Sequence, residues 1–279
     1  MAQDFQCGRY RLPLDKKKLP LVMGILNVTP DSFSDGGRFN SLESAIERAE
    51  QMIADGVDMI DIGGESSRPG AEPLPLAEEL RRVLPVVYAL RDCGKPLSVD
   101  TYKPDVMREA VAAGVDMIND INGFRAPGAA EAVRDSDCGL CVMHMQRDPQ
   151  TMQAEPHYQD VVREVTEFLQ QRVAQLEAAG IAHNRLCIDP GFGFGKTLMH
   201  NLALLKNIGQ IQHDLNLPLL AGLSRKSMLA GIIGKPVGDR LAGSLALALA
   251  AAANGAHILR VHDVAETVDA LKVWHAASQ

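Results

Sequence analysis

The strongest constraint on the fold of this chain is a regular alternation of short apolar runs with longer amphipathic segments. Eight runs are rich in β-branched and aliphatic residues, at 21–28, 59–64, 96–100, 117–121, 140–144, 186–190, 218–224 and 258–262. Continuous apolar runs of this length are typical of parallel strands that are covered on both faces. Between them lie helical patterns such as 41–56 and 160–180, and several end in Gly just before the next apolar run.

Eight strands alternating with about eight helices predict a closed (β/α)8 barrel, the TIM barrel, because repeated right-handed crossovers close a parallel sheet on itself. A doubly wound open sheet is the competing α/β architecture. Nothing rich in Pro, Gly or Ser divides the chain, so we expect one domain over residues 1–279. Residues 5–18 precede the first strand and are predicted to form a short hairpin at the bottom of the barrel.

Composition excludes several classes of function. The formal charge is 28 − 35 = −7, which argues against a nucleic-acid partner but permits a small anionic substrate held by local cations. We expect neither a membrane span nor a secretory signal, since the apolar runs are too short and the N-terminus lacks the apolar core of a signal peptide. The five cysteines are scattered and odd in number, as is typical of free thiols in a reducing cytoplasm.

Polar side chains stand at the end of every predicted strand. They are Asn27, Asp61, Glu65, Asp100, Asn119, Asp120, His144, Asp189, Ser224, Lys226, Arg260 and His262. In a barrel these ends meet at one mouth, where function is located. Asp100, Asn119, Asp189 and Lys226 suit a flat heterocycle with adjacent N–H donors. Cations, hydroxyls and an amide at the ends of the last predicted strand and the first two suit a phosphate or diphosphate with a hard metal ion; they are Arg260, His262, Asn27, Ser66, Ser67 and Arg68.

Seven ordered motifs identify a family. NVTPDSFSDGG, DIGGESSRPG, SVDTY, INDI, DPGFGFGKT, GLSRKS and RVHDV together resemble the dihydropteroate synthase family, the folate-pathway enzymes inhibited by sulfonamides, over roughly residues 21–264. The resemblance implies a transferase that joins p-aminobenzoate to 6-hydroxymethyl-7,8-dihydropterin diphosphate and releases diphosphate. It also implies Mg2+ as cofactor and a homodimer.

The resemblance assigns roles to individual residues. The pterin pocket would contain Asp100, Asn119, Asp189 and Lys226, with Met143 and Phe194 against the ring. Asn27 would hold Mg2+, and Ser67, Arg260 and His262 would bind diphosphate. Phe33, Arg68, Pro69 and Ser224 would surround p-aminobenzoate, and the catalytic residues would be Arg260, His262, Lys226 and Asp100. Ser67 stands where one common family pattern has Thr, and its hydroxyl is retained. Residues 27–37 would form a mobile loop over the substrates.

Alternatives compete with this interpretation. A pterin-dependent methyltransferase acting with a corrinoid partner would share the pterin groups but would have no use for the predicted diphosphate site. A barrel that only binds pterin is a further possibility. The run ending in Lys196 resembles a nucleotide-binding loop, but Gly191 is one residue too close to Gly195. Cys138 and Cys141 have redox spacing and are predicted to be buried structural thiols, while His144 is equally compatible with a ligand or a structural role.

Overall fold

A computed structural model describes residues 3–14, 19–28, 38–66 and 70–278 of the chain. An N-terminal hairpin of β1 (Gln3–Cys7) and β2 (Tyr10–Leu14) precedes eight further strands. These are β3 (Leu21–Asn27), β4 (Met59–Gly63), β5 (Leu97–Asp100), β6 (Met117–Asp120), β7 (Gly139–Met143), β8 (Leu186–Asp189), β9 (Leu220–Ala221) and β10 (Ile258–Val261).

One or two helices follow each barrel strand along the described chain. They are α1 (Arg38–Ala54), α2 (Leu76–Leu90), α3 (Pro104–Ala113), α4 (Ala129–Arg134), α5 (Val161–Ala178), α6 (Leu198–Lys206), α7 (Ile208–Leu215), α8 (Ser227–Ile233), α9 (Leu241–Ala253) and α10 (Val264–Ala277). Glycine ends α3 as predicted, since Gly114 adopts a left-handed φ of 97° just before β6.

The eight strands from β3 to β10 pair in parallel and in chain order from β3 to β8, with β10 beside β3 and β9 beside β10. A bridge between Ile188 and Leu219 joins β8 to the segment before β9 and closes the ring. The predicted (β/α)8 barrel is therefore confirmed, and the open sheet is excluded. The strand predicted at 218–224 shortens to β9, because Pro218 has no N–H to donate and pairs only through its carbonyl, which accepts from the Ile188 N–H at 2.9 Å.

Two apolar layers surround the strands. Alternate side chains point outward and pack with the helices in the main core, for example Val22, Ile60 and Val99. The inward side chains at the amino ends of the strands form a second, sulfur-rich cluster with the hairpin; it contains Phe5, Cys7, Leu14, Met23, Met59, Met117, Cys141, Cys187, Leu220 and Ile258. This cluster fills the lower barrel, so an open polar site is confined to the carboxyl ends of the strands.

The N-terminal hairpin seals the bottom of the barrel, as predicted. The Gly8 N–H donates to the Asp137 carbonyl at 3.0 Å. Arg9 donates through Nε and Nη2 to the carboxylate of Asp116 at 3.0 and 3.1 Å, and Asp116 also accepts from the Leu97 N–H. Because these contacts anchor the hairpin to the loops below β5, β6 and β7, the opposite end is the one available to ligands.

Cysteine chemistry agrees with the sequence prediction. All five cysteines are free, and Cys138 and Cys141 are buried. Burial raises the pKa of the Cys138 thiol to about 11, which keeps it protonated and unreactive near neutral pH. Among the described residues no helix has the length and apolar character needed to span a membrane.

Candidate active site

Residues from distant parts of the chain meet at the mouth of the barrel. Asp100 ends β5 and lies in register with Asn119 of β6, so their side chains share the inner face. Arg260 enters from β10 and reaches across the barrel: its Nε lies 2.5 Å from Asp61 Oδ2, and its Nη2 lies 2.8 Å from Asp100 Oδ2. The structure thus brings the predicted heterocycle-binding acid Asp100 into direct contact with the predicted diphosphate-binding cation.

Asp61 is the residue that sequence reasoning missed. The sequence placed it among the polar strand ends but gave it no role, and its fully buried carboxylate accepts from Arg260 and, at 3.2 Å, from Asn119 Nδ2. It therefore connects the two predicted halves of the site. The alternation of side chains along a strand could have revealed this position. Asp61 lies two residues after Met59 on β4 and therefore points to the same inner face.

The side-chain amide of Asn119 uses its nitrogen, but not its oxygen, in hydrogen bonds with the described residues. Its Nδ2 donates to Asp61, and its buried Oδ1 has no hydrogen-bond partner within the described part of the protein. A buried carbonyl oxygen without a donor is costly, so a ligand N–H is the natural partner for this atom. The amide consequently presents an acceptor to the mouth of the barrel.

Burial sets the electrostatics of the site. Burial raises the pKa of Asp100 to about 7, although the Arg260 charge opposes the shift. Burial also raises the pKa of Asp189, opposed by the hydrogen bond from the Gly191 N–H. It lowers the pKa of Lys226 to about 8, with the neighbouring Arg260 acting in the same direction. For Arg260 burial lowers the pKa, but the carboxylates of Asp61 and Asp100 more than offset it.

An apolar wall borders these charges. Met143 ends β7 in register with Asp189, and its side chain packs in a buried cluster with Ile121, Met145, Met152 and Phe194. Lys226 Nζ lies 4.2 Å from the centroid of the Phe194 ring. The result is a slot with apolar and aromatic surface on one side and hydrogen-bonding groups at its edge, which suits a flat heterocycle.

His262 and Ser224 lie together just beyond β10 and β9. His262 Nδ1 is 3.0 Å from Ser224 Oγ, and the same hydroxyl oxygen accepts from the His262 backbone N–H at 3.3 Å. Burial, followed by the charges of Arg260 and Arg225, lowers the pKa of His262 to about 3. His262 is therefore a neutral imidazole, which can act as a hydrogen-bond donor to an anion but not as a cation.

The loops after β4 and β5 are joined beside the slot. Glu65 accepts from the Tyr102 hydroxyl at 2.7 Å and also pairs with Lys103, whose ammonium lies 2.5 Å from Glu79. A cavity next to Asp100 is lined by these loops. Glu65 thus connects the loop after β4 to the loop after β5, and the cavity widens the mouth on that side.

Of the remaining predicted residues, Asn27 lies within the described part of the chain and four others do not. Asn27 ends β3 in register with Gly63, and a Cβ on Gly63 would lie 3.4 Å from Asn27 Oδ1, so this side-chain oxygen lies beside β4. Phe33, Ser67, Arg68 and Pro69 lie outside the described residues.

Known proteins share the sequence and the fold of this chain. The profile of the family described as Pterin binding enzyme matches residues 23–262. Dihydropteroate synthase of Escherichia coli K12 is 52% identical over 258 residues, which cover 92% of this chain and 91% of that protein.

Two crystal structures are also similar. That of Burkholderia cenocepacia dihydropteroate synthase with 7,8-dihydropteroate has 55% identity and a TM-score of 0.91, and covers 99% of this chain and 97% of the other. That of the Xanthomonas albilineans enzyme with 4-aminobenzoic acid has 50% identity and a TM-score of 0.92, and covers 100% and 99%.

A (β/α)8 barrel whose mouth carries this slot, matched by the family profile over most of its length, defines a pterin-binding enzyme. Within that class the chain belongs to the dihydropteroate synthase family, and it is accordingly a transferase.

Proposed function

We propose that this protein condenses p-aminobenzoate with 6-hydroxymethyl-7,8-dihydropterin diphosphate to form 7,8-dihydropteroate and diphosphate. The observation that carries the proposal is the chain of contacts from Asn119 through Asp61 to Arg260, which sets an acceptor-lined slot beside a guanidinium at one mouth. Asp100, Asp189 and Asn119 would accept from the pterin N–H groups, and Lys226 would donate to a ring acceptor. Met143 and Phe194 would contact its faces.

The reaction is a substitution at the CH2 attached to the pterin. The nucleophile is an aromatic amine, which is competent when neutral, so departure of diphosphate is the step that the protein must assist. Arg260 would stabilise the charge that develops on the leaving oxygen, and His262 would donate one N–H as a neutral imidazole. Because Asp61 and Asp100 hold the Arg260 side chain by two nitrogens, its guanidinium is already oriented before a substrate arrives.

Mg2+ is the proposed cofactor, and the donor set is compatible with it. Asn27 offers one amide oxygen, and in the described ranges no group of three or more His, Cys, Asp or Glu residues could hold a metal. Such a sparse set suits Mg2+, which retains several waters and usually takes its other ligands from substrate phosphates. Bound Mg2+ would neutralise charge on the diphosphate, with Asn27 fixing its place at the end of β3.

A coupled assay for diphosphate release tests the function. We expect release from the pterin diphosphate to require p-aminobenzoate and to fall on addition of EDTA. Release that does not depend on the amine would indicate a hydrolase, and the absence of release with intact pterin binding would leave a non-catalytic barrel. Methyl transfer from methyltetrahydrofolate to a corrinoid protein would support the methyltransferase instead.

We also propose a homodimer that uses the surface formed by α8, the start of α9 and the segment between them. Four large apolar side chains are exposed there: Ile232, Ile233, Val237 and Leu241. α8 and α9 are closely packed, since a Cβ on Gly243 of α9 would lie 2.7 Å from Leu229 of α8. A cluster of exposed large apolar side chains is typical of an interaction site, and the family resemblance favours a second copy as the partner.

We propose a cytoplasmic location from the state of the cysteines. All five are free thiols, four of them buried, and an oxidising compartment would favour pairing or oxidation of such residues.

A further inference from the structure

Lys196 is a buried cation that the proposed reaction does not use. Its side chain is almost completely shielded from solvent. Its Nζ lies 2.9 Å from the Gly191 carbonyl oxygen, 3.0 Å from the Phe194 carbonyl oxygen and 2.9 Å from His144 Nδ1. One amino group therefore joins the loop after β8 to the end of β7.

The loop from Gly191 to Gly195 depends on outside contacts for its shape. Gly191, Gly193 and Gly195 have left-handed φ angles of 72°, 82° and 65°. A Cβ on Gly191 would lie 1.8 Å from the His144 carbonyl oxygen, so the backbone can approach β7 only as glycine. Three glycines in five residues make the free loop highly mobile, and its order must come from groups that hold it.

Hydrogen-bond acceptors surround the amino group of Lys196. Burial lowers its pKa to about 7, while the nearby Asp189 carboxylate acts in the opposite direction. Four acceptors lie around Nζ for its three N–H groups: His144 Nδ1 and the carbonyl oxygens of Gly191, Phe194 and, at 3.4 Å, His144. Burial lowers the pKa of His144 to about 2, so its ring is neutral and Nδ1 can accept from Lys196. This gives His144 a structural role, one of the two that the sequence left open.

The same loop carries groups assigned to the pterin. The Gly191 N–H donates to Asp189 Oδ1 at 2.7 Å and so fixes the orientation of that carboxylate. Phe194 faces Lys226 from the buried cluster at the mouth. Displacing Gly191 or Phe194 would move the acceptor and the aromatic surface together.

We infer that Lys196 is a positioning residue for pterin recognition, which holds the Gly191–Gly195 loop against His144 so that Asp189 and Phe194 keep their places in the slot. The inference rests on the proposed function. It is selective, because Arg260 and His262 are held by Asp61, Asp100 and Ser224, and none of these is a hydrogen-bond partner of Lys196. Loss of the ammonium should therefore weaken binding of pterin and spare binding of diphosphate.

Calorimetric titration of the full chain tests the selectivity. Lys196→Met keeps the length of the side chain and removes its donors, and Lys206→Met makes the same change at an exposed lysine on α6. For 6-hydroxymethylpterin we expect Lys196→Met to raise Kd about 10- to 100-fold, the effect of losing a charged hydrogen-bond donor. The Kd for inorganic diphosphate with Mg2+ should stay unchanged, and Lys206→Met should bind both ligands normally.

A second variant keeps the test decisive if Lys196→Met does not fold. Lys196→Arg retains the charge, but a planar guanidinium cannot direct its donors at acceptors grouped around one point, so the same selective loss is expected. An unchanged pterin Kd in either folded variant would overturn the inference. Parallel loss of both ligands would do the same, as would failure of both variants to fold, since each indicates a general structural role. Failure of the unmodified protein to bind pterin would instead overturn the proposed function.

Discussion

At the scale of single residues, the convergence of the polar strand ends at one mouth was predictable, but the contacts among them were not. The sequence placed Asp100, Asn119 and Arg260 at strand ends, and the structure brings them to one mouth. It could not show that Arg260 pairs with Asp61, because these residues are 199 positions apart and meet only when the barrel closes. Nor could it show that His262 is neutral, since that follows from burial and from neighbouring cations.

Asp61 gives the first prediction at this scale. Asp61→Asn keeps the shape of the side chain and one oxygen that can still accept from Arg260 and Asn119, but it removes the negative charge that orients Arg260. We expect kcat/KM for the pterin diphosphate to fall about 10- to 100-fold, as for loss of a charge-assisted hydrogen bond. Steady-state kinetics with each substrate varied in turn measures the effect, and the KM for p-aminobenzoate should change little.

The control for this prediction is Asp269→Asn, the same change at a carboxylate that is 80% exposed on α10. It should leave both kinetic parameters unchanged. If Asp61→Asn retained normal kcat/KM with a folded barrel, the contact between Asp61 and Arg260 would be incidental to the reaction.

At the scale of elements, the apolar runs predicted all eight barrel strands because parallel strands buried on both faces have a strong local signature. Their ends were less certain. The run at 218–224 yields only Leu220–Ala221 as β9, since Pro218 and the local geometry limit pairing. The hairpin at 5–18 was located correctly, but its strands begin earlier, at Gln3, and its anchor on Asp116 required the fold.

The N-terminal hairpin gives a prediction for a variant that should lose stability but keep its function. Gly8 has a left-handed φ of 56°, and a Cβ there would lie 2.5 Å from the Asp116 Cα. Gly8→Ala must therefore displace backbone as well as strain its own φ. We expect it to lower the free energy of unfolding by at least about 2 kcal/mol, measured by urea denaturation. Because the hairpin is at the opposite end from the site, KM for both substrates should stay the same.

Gly94→Ala provides the matched comparison. Gly94 also has a left-handed φ, of 78°, but nothing lies within 4 Å of a Cβ placed there. Gly94→Ala should lower the free energy of unfolding by only about 1 kcal/mol, the cost expected when alanine adopts a left-handed φ. Equal losses in the two variants would mean that backbone strain alone, and not closure of the barrel bottom, accounts for the effect at Gly8.

At the scale of the whole molecule, the interior of the barrel changes character from one end to the other. Methionines and cysteines fill the lower interior, and charged and amide side chains occupy the mouth. The three buried side-chain atoms that lack a partner in the described residues, Asp61 Oδ1, Ser98 Oγ and Asn119 Oδ1, come from the neighbouring strands β4, β5 and β6. The closely packed lower interior thus lies beneath a polar layer whose hydrogen bonding is incomplete among the described residues.

The exposed apolar surface of α8 and α9 gives a prediction for the assembled molecule. The side chain of Val237 is in its middle and is 53% exposed. In a twofold interface every substitution occurs twice, so Val237→Glu would place two carboxylates in an apolar contact between chains that already carry a net charge of −7 each. Analytical ultracentrifugation at micromolar concentration should show a dimer for the unmodified chain and a monomer for this variant. Tyr88→Glu, at a side chain of equal exposure on α2, should remain dimeric. A dimeric Val237→Glu would move the interface to another face, and an unmodified chain that stays monomeric would remove the homodimer altogether.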